Sequence, residues 1–226
     1  MMQYEKQKEE VNVPDEPEAR ELLRRAFEKT YRWGKEFKGF SSQLTVMDNG
    51  KSYSGSVTVK TLQEIAVSLP NEVIQTWAQG QIGMMAVHRG PRSFEESDGR
   101  HVLTLGEEDG YPMGRLLVIH GDGMKSGYRI KDDQITQINR SMGPVRFTIN
   151  VEDSLTTSSG KKLTTKYSVF YFTAQDSSIK QVESYTDTHA VIDTLYLPGK
   201  RRIILVEEGE VRVKTMTFEG HRLLSS

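Results

Sequence analysis

The strongest constraint on the fold is a long run of short alternating segments. From Phe40 to Leu224, apolar and polar residues alternate along short stretches, and turn-forming pairs such as Asn49-Gly50 and Glu208-Gly209 separate one stretch from the next. Period-two alternation is typical of half-buried β-strands, and Asn-Gly is a preferred pair in two-residue hairpin turns. Such regularly spaced turns favour an antiparallel up-and-down sheet over β-α-β units.

The alternation predicts a strand at Gln43–Val46, a second around Val57 and Val59, and a third around Ile65–Leu69. A turn is expected at Pro198-Gly199 because proline and glycine commonly end strands and form turns. After Arg89-Gly90-Pro91, further strands are predicted at about 92–97, 100–106, 114–120, 125–131, 134–141, 144–152, 162–173, 178–188, 191–197, 201–206 and 210–218.

Two segments depart from this pattern and are predicted to be helices. The first follows Asp15, which is expected to be its N-cap, and its apolar residues recur at helical spacing from Ala19 to Tyr31. The second covers residues 71–88, with Pro70-Asn71 expected to end the preceding strands and cap the helix, and residues 73–87 carry no charged side chain. A helix without ionised side chains is typically covered on most of its circumference.

These elements define the predicted fold class. We expect an α+β, mainly antiparallel β protein: a curved sheet or incomplete β-barrel with an N-terminal helix and one central helix packed on its concave side. Residues 1–14 are highly charged and are predicted to be disordered. Residues 15–226 are predicted to form a single β-rich domain, a size that such folds commonly reach.

Composition and charge exclude several function classes. The chain has 226 residues and no cysteine, which excludes disulfides, thiolate metal sites and cysteine nucleophiles. It has 30 basic and 31 acidic residues and a net charge of −1, without the basic excess of a nucleic-acid-binding domain. The polar N-terminus lacks the apolar core of a secretory signal, so we expect a soluble cytoplasmic protein, with peripheral membrane contact left open.

No catalytic, metal or cofactor signature is present, and no cofactor is expected. The histidines lack metal-ligand spacing, and no nucleophile elbow or phosphate loop occurs. Asp187 and His189 share one face of a predicted strand, with Asp193 nearby. The interpretation that we favour is a solvent-facing pair on the outer sheet surface; the alternative is an oriented base of a hydrolase or isomerase.

The central helix supplies the candidate ligand site. Trp77, Met84 and Met85 would line an apolar pocket, which flexible methionine side chains suit. His88, Arg89 and Arg92 would form a polar rim that holds a carboxylate or a lipid head group. Two plainer interpretations stay open: the cations complement the helix dipole, and the tryptophan and methionines belong to an ordinary core.

A family resemblance rests on residues spread along the chain. They are Tyr31-Arg32-Trp33, Phe37, Gly39-Phe40, His88-Arg89, Phe94, Gly121-Asp122, Tyr128, Ile135, Arg140 and Leu223-Leu224. On this spacing, residues 15–224 resemble an uncharacterised family, a domain of unknown function, of cyanobacteria and plant plastids. Lys38 and Phe40 stand where members often have proline and tyrosine. The resemblance implies a photosynthetic host and a link to thylakoid membranes, pigments or photosystem upkeep, but no activity and no catalytic residues.

The order of predicted elements is also similar to that of the bacterial lipoprotein carriers, which wrap an incomplete β-barrel around helices and hold acyl chains. The leading hypothesis is therefore a non-enzymatic protein that holds an apolar ligand (a lipid, isoprenoid or pigment) inside a half-barrel, with the helix 71–88 as the pocket floor. The first alternative is an interaction or assembly factor with a packed core and a protein partner. The second is a hydrolase or isomerase built on Asp187 and His189.

Overall fold

A computed structural model of the protein describes residues 13–60, 64–173 and 177–225. The predicted disorder of residues 1–14 lies almost entirely outside these ranges. Within them, two α-helices, one 3-10 turn and twelve strands follow one another in the order α1 (Pro17–Lys29), β1 (Phe40–Asp48), β2 (Lys51–Val59), β3 (Ile65–Ser68), α2 (Glu72–Arg89), the 3-10 turn (Asp98–Arg100), β4 (Val102–Leu105), β5 (Arg115–His120), β6 (Gly127–Lys131), β7 (Gln134–Met142), β8 (Val145–Thr156), β9 (Lys162–Thr173), β10 (Ile179–Ile192), β11 (Leu195–Glu207) and β12 (Glu210–Leu223).

The strands form one twelve-stranded open sheet. Its order is β3-β2-β1-β12-β11-β10-β9-β8-β7-β6-β5-β4, so β12 pairs with β1 and the two edges are β3 and β4. The β1–β2 hairpin turns at Asn49 and Gly50, whose φ angles of 45° and 86° are those that a type I′ turn requires. The predicted fold class, mainly antiparallel strands with an N-terminal and a central helix, is confirmed.

Three predicted strand features are wrong, and one of them is the strand at 191–197, which contains the turn between β10 and β11. Residues 92–97 form no strand, since residues 94–97 are in turns, and the Ser93 hydroxyl and amide both donate to Glu96. Pro198-Gly199 does not end a strand, because β11 runs through it and the hairpin turns at Asp193, whose φ is 56°. The two residues instead form a β-bulge, one of the few positions where a strand accepts proline.

The described residues group into two compact units, and the prediction of a single domain stays a prediction. The first unit contains the described residues of 1–30, 92–152 and 169–180. In it, α1 packs its apolar stripe against β4–β7, with Leu23 and Phe27 among Phe94, Leu117 and other buried side chains. This is the amphipathic stripe that the helical spacing predicts.

The start of α1 differs from the prediction. Asp15 is not the N-cap, because helix α1 begins after Glu16 without a side-chain cap. The Asp15 carboxylate instead accepts two hydrogen bonds from Arg20, both of 2.7 Å, and one from the Leu103 amide. The hydrogen bonds from Arg20 lower the pKa of Asp15, although the burial of the Asp15 carboxyl works against them. Asp15 therefore ties α1 to β4.

The second unit contains the described residues of 31–91, 153–168 and 181–226. The Asn71 side chain caps α2 as predicted, accepting a 3.0 Å hydrogen bond from the Ile74 amide. One stripe of α2 is at most 4% exposed and packs on the sheet: Ile74, Ala78, Ile82 and Ala86. Neither helix of the described residues has the length and apolarity needed to cross a membrane.

The expectation that α2 is covered on most of its circumference is wrong. Val73 is 75% exposed, and Met84 and Val87 are each 50% exposed. The buried residues of α2 are spaced four apart, as expected for a helix that lies on a sheet and contacts it along one stripe. The side of α2 directed away from the sheet is therefore an uncharged helix surface that the second unit leaves exposed.

Candidate functional site

The neighbours of α2 define which side of the helix faces which strand. On one side, Gln79 donates to the Ile65 carbonyl of the edge strand β3. On the other side, Gln81 accepts a 3.4 Å hydrogen bond from Arg201 of β11, and Lys214 of β12 lies 4.7 Å from the Trp77 ring centroid. This second side faces the inner strands of the sheet, and we call it the α2 flank: Trp77, Gln81, Met84, Met85 and His88.

The α2 flank gathers most of the predicted ligand residues. Helical spacing places residues 77, 81, 84, 85 and 88 on one side of the helix. Trp77 and Met85 are partly buried against the core, Met84 is half-exposed, and His88 is exposed. Arg92 is different, because it belongs to the first unit, where its guanidinium lies 5.9 Å from the Phe27 ring centroid.

A buried ion pair lies on the strands opposite the flank. Asp187 of β10 and Arg201 of β11 are only 7% and 5% exposed, and they pair through two hydrogen bonds of 2.8 and 2.6 Å. Burial opposes the charge of Arg201, but the bonds to Asp187 outweigh it and leave the pKa of Arg201 raised. This geometry is the bidentate form that favours arginine in buried pairs.

Two tyrosines lie next to this ion pair. The rings of Tyr167 and Tyr185 stack at 4.4 Å with an interplanar angle of 5°, and the Arg201 guanidinium lies 5.1 Å from the Tyr185 centroid. The Tyr185 hydroxyl donates to Glu183 at 2.8 Å. Burial raises the pKa of Tyr167 to about 12, so it stays a neutral phenol that can donate a hydrogen bond.

Arg89, in the last turn of α2, is a second cation that interacts with the charge of Asp187. No carboxylate of the described residues lies within 4.0 Å of its guanidinium. Burial lowers the pKa of Arg89 to about 10, the attraction of Asp187 works against this, and the charge of Arg201 adds to it. Arg89 is still charged at neutral pH. Asp187 attracts both arginines but bonds only Arg201, and these three groups carry an excess of one positive charge.

His189 lies beside these charges and is neutral. Burial and the positive charge of Arg89 lower its pKa to about 4, although Asp187 favours its protonation. Its Nδ1 atom is buried and has no hydrogen-bond partner. We call Arg89, Asp187, His189 and Arg201, with Gln81 beside them, the arginine cluster.

The interpretation of Asp187 and His189 as a solvent-facing pair is wrong, because Asp187 is buried and both residues join the arginine cluster. The alternative, an oriented catalytic base, needs a hydrogen bond from the imidazole to the carboxylate. Both Asp187 oxygens instead accept from Arg201, and His189 Nδ1 has no partner. In the described part of the chain, no three potential metal ligands of the His, Cys, Asp or Glu type come together either.

Sequence comparison adds the family. A family model described as a protein of unknown function, DUF3386, matches residues 14–224. The chain belongs to this family. The predicted membership of an uncharacterised family is therefore confirmed, and the match includes both helices and all twelve strands. No curated protein matches this DUF3386 member.

Arg201 and the tyrosines of this DUF3386 member were not among the predicted site residues. The hairpin turn pairs Ile192 with Leu195, and an unbroken register would place Asp187 opposite Lys200. The bulge at Gly199 adds one residue and pairs Asp187 with Arg201 instead. The alternation of buried and exposed residues along β11 could have indicated that Arg201 is buried, because it lies two residues before the buried Ile203 and on the same face of the strand. Without knowledge of the bulge, that alternation does not identify Asp187 as the partner of Arg201.

Proposed function

We propose that this protein is a non-enzymatic binding protein whose apolar ligand, a lipid, isoprenoid or pigment, lies along the α2 flank. The observation that carries the proposal is the combination of an uncharged helix with a partly exposed flank of Trp77, Met84 and Met85. Solvent-facing helix sides normally carry charged residues. An uncharged side bearing methionine and tryptophan fits loosely specified apolar ligands.

The proposed ligand position differs from a pocket beneath the helix. The stripe from Ile74 to Ala86 is packed against the sheet, which leaves the space between α2 and β1, β2 and β12 to core side chains. The flank is where apolar side chains remain partly exposed, next to the inner strands of an open sheet. The proposal also draws on the order of elements, which is one helix, three strands, a central helix and nine strands.

Native mass spectrometry tests the proposal. We expect the full chain to take up a neutral apolar probe such as retinol or oleyl alcohol at a stoichiometry of one. Met84→Ala should reduce uptake several-fold, whereas Met47→Ala should not, because Met47 is equally exposed, at 50%, but lies on β1. A spectrum with the bare chain alone at all probe concentrations, or equal loss in both variants, would contradict the proposal.

A second candidate is an interaction factor, and a separate observation favours it. Val73 and Val87 lie on the side of α2 directed away from the sheet, and the opposite stripe is packed. A protein partner that covered this side would bury exposed apolar area, which stabilises association. A stoichiometric partner that copurifies with the chain and is lost in Val73→Lys, with no extractable ligand, would favour this candidate over the first.

A further inference from the structure

The arginine cluster has a charge imbalance that no described side chain corrects. Arg201 is matched by Asp187 through two hydrogen bonds, but no carboxylate among the described residues lies within 4.0 Å of Arg89, which is only partly exposed. A charged group out of water is normally paired, because removing an ion from water is strongly unfavourable. An anion beside Arg89 would restore neutrality to the cluster.

The donors of the cluster match an oxyanion in number and kind. Arg201 uses Nε and Nη2 for Asp187, while its Nη1 makes only a long 3.4 Å contact with Gln81. Arg89 contributes the donors of a whole guanidinium, which binds carboxylate and phosphate oxygens in a bidentate manner. The buried Nδ1 of His189 has no partner and adds a donor in the tautomer that carries its proton there.

The cluster also lies next to the proposed ligand position. Gln81 belongs to the α2 flank and touches Arg201, and Met85 and Arg89 are one turn apart on α2. A ligand whose apolar part covered Trp77 and Met85 would bring one end to Arg89. A purely neutral ligand would leave that cation unmatched.

We infer that the ligand of the α2 flank ends in an oxyanion, a carboxylate or phosphate, which Arg89 and Arg201 bind beside His189. This inference rests on the proposed function, since the apolar part of the ligand is what the flank binds. The expected ligand class is thus an acidic amphiphile, such as a fatty acid or a lipid phosphate, instead of a neutral hydrocarbon or alcohol.

Titration calorimetry with two matched probes tests the inference. Oleate and oleyl alcohol share one chain and differ in the head group; oleate is used below its critical micelle concentration and the alcohol below its solubility limit. We expect the full chain to bind oleate about ten- to a hundredfold more tightly than the alcohol, the range that a hydrogen-bonded charge pair provides. Arg89→Gln should remove this difference by weakening the binding of oleate to that of the alcohol.

Arg202→Gln is the control, because Arg202 is the exposed neighbour of Arg201 in β11. It should keep the preference for oleate. Equal affinities for oleate and alcohol would overturn the inference but not the proposed function, whereas binding of neither probe would overturn both. A preference that survives Arg89→Gln, or inorganic phosphate that binds as tightly as oleate does, would also overturn the inference.

Discussion

At the scale of single residues, the two arginines of the cluster differ in what neutralises them. Arg201 is held by both oxygens of Asp187, and Arg89 has no such partner in the described part of the chain. Breaking a buried ion pair leaves an uncompensated charge and typically costs about 3–5 kcal/mol. Removing an unpaired cation has the opposite sign. The same substitution should therefore change stability in opposite directions at these two positions.

We expect Arg201→Met to lower the free energy of unfolding by about 3–5 kcal/mol, because Asp187 would stay buried and charged. Arg89→Met keeps the apolar part of the side chain and should raise the free energy of unfolding by on the order of 1 kcal/mol, because it removes an unpaired charge. Urea denaturation of the ligand-free chain measures both. A loss for Arg89→Met as large as that for Arg201→Met would mean that Arg89 has a stabilising partner.

His189 gives stability a pH dependence of defined sign. Its pKa is about 4 in the folded chain, against 6.5 as the ordinary value, because burial and Arg89 oppose its charge more than Asp187 favours it, while Arg201 also opposes it. The unfolded chain therefore binds a proton first as the pH falls. The stabilisation from neutral His189 is complete above about pH 6.5 and is lost progressively between pH 6.5 and pH 4.

Between pH 7.5 and pH 5, the wild-type chain should lose about 2 kcal/mol more stability than His189→Gln does, since one pKa unit corresponds to about 1.4 kcal/mol. Urea denaturation at the two pH values measures the difference, and the other histidines contribute equally to both proteins. Identical losses in wild type and variant would show that His189 titrates in the folded chain as it does in water.

At the scale of secondary-structure elements, the patterns that depend on near neighbours were predictable. The Asn49-Gly50 turn and the Asn71 cap of α2 follow from local chemistry, and both form as expected. The bulge at Gly199 was not predictable, because proline and glycine read equally well as a turn, and only pairing with β10 decides between the two. The arginine cluster depends on that bulge, and so its membership could not be read from the sequence.

Helix α2 illustrates a second limit of the same kind. The absence of charge from residues 73–87 correctly placed the helix on the sheet, but the burial that it implied was too extensive. Glutamine, threonine, glycine and methionine can face water without ionising, so an uncharged stretch does not require a helix to be enclosed. The candidate residues on α2 were identified, but whether they face a core or solvent depended on the width of the contact with the sheet.

At the scale of the whole molecule, family membership spans residues 14–224 and the open sheet has twelve strands. Neither of these facts specifies a ligand, because one fold serves many functions. The account of function therefore rests on one surface, the α2 flank, and on the charges of the arginine cluster beside it. The flank carries Trp77, and the only other tryptophan, Trp33, is buried and donates to the Tyr196 carbonyl.

Fluorescence of Trp77 tests the central claim most directly. In Trp33→Phe, Trp77 is the sole tryptophan, and binding of an apolar probe along the α2 flank should displace water from its ring. We predict a saturable blue shift of its emission with the same midpoint that native mass spectrometry gives for probe uptake. Uptake of the probe with no change in Trp77 emission would place the ligand elsewhere and contradict the account.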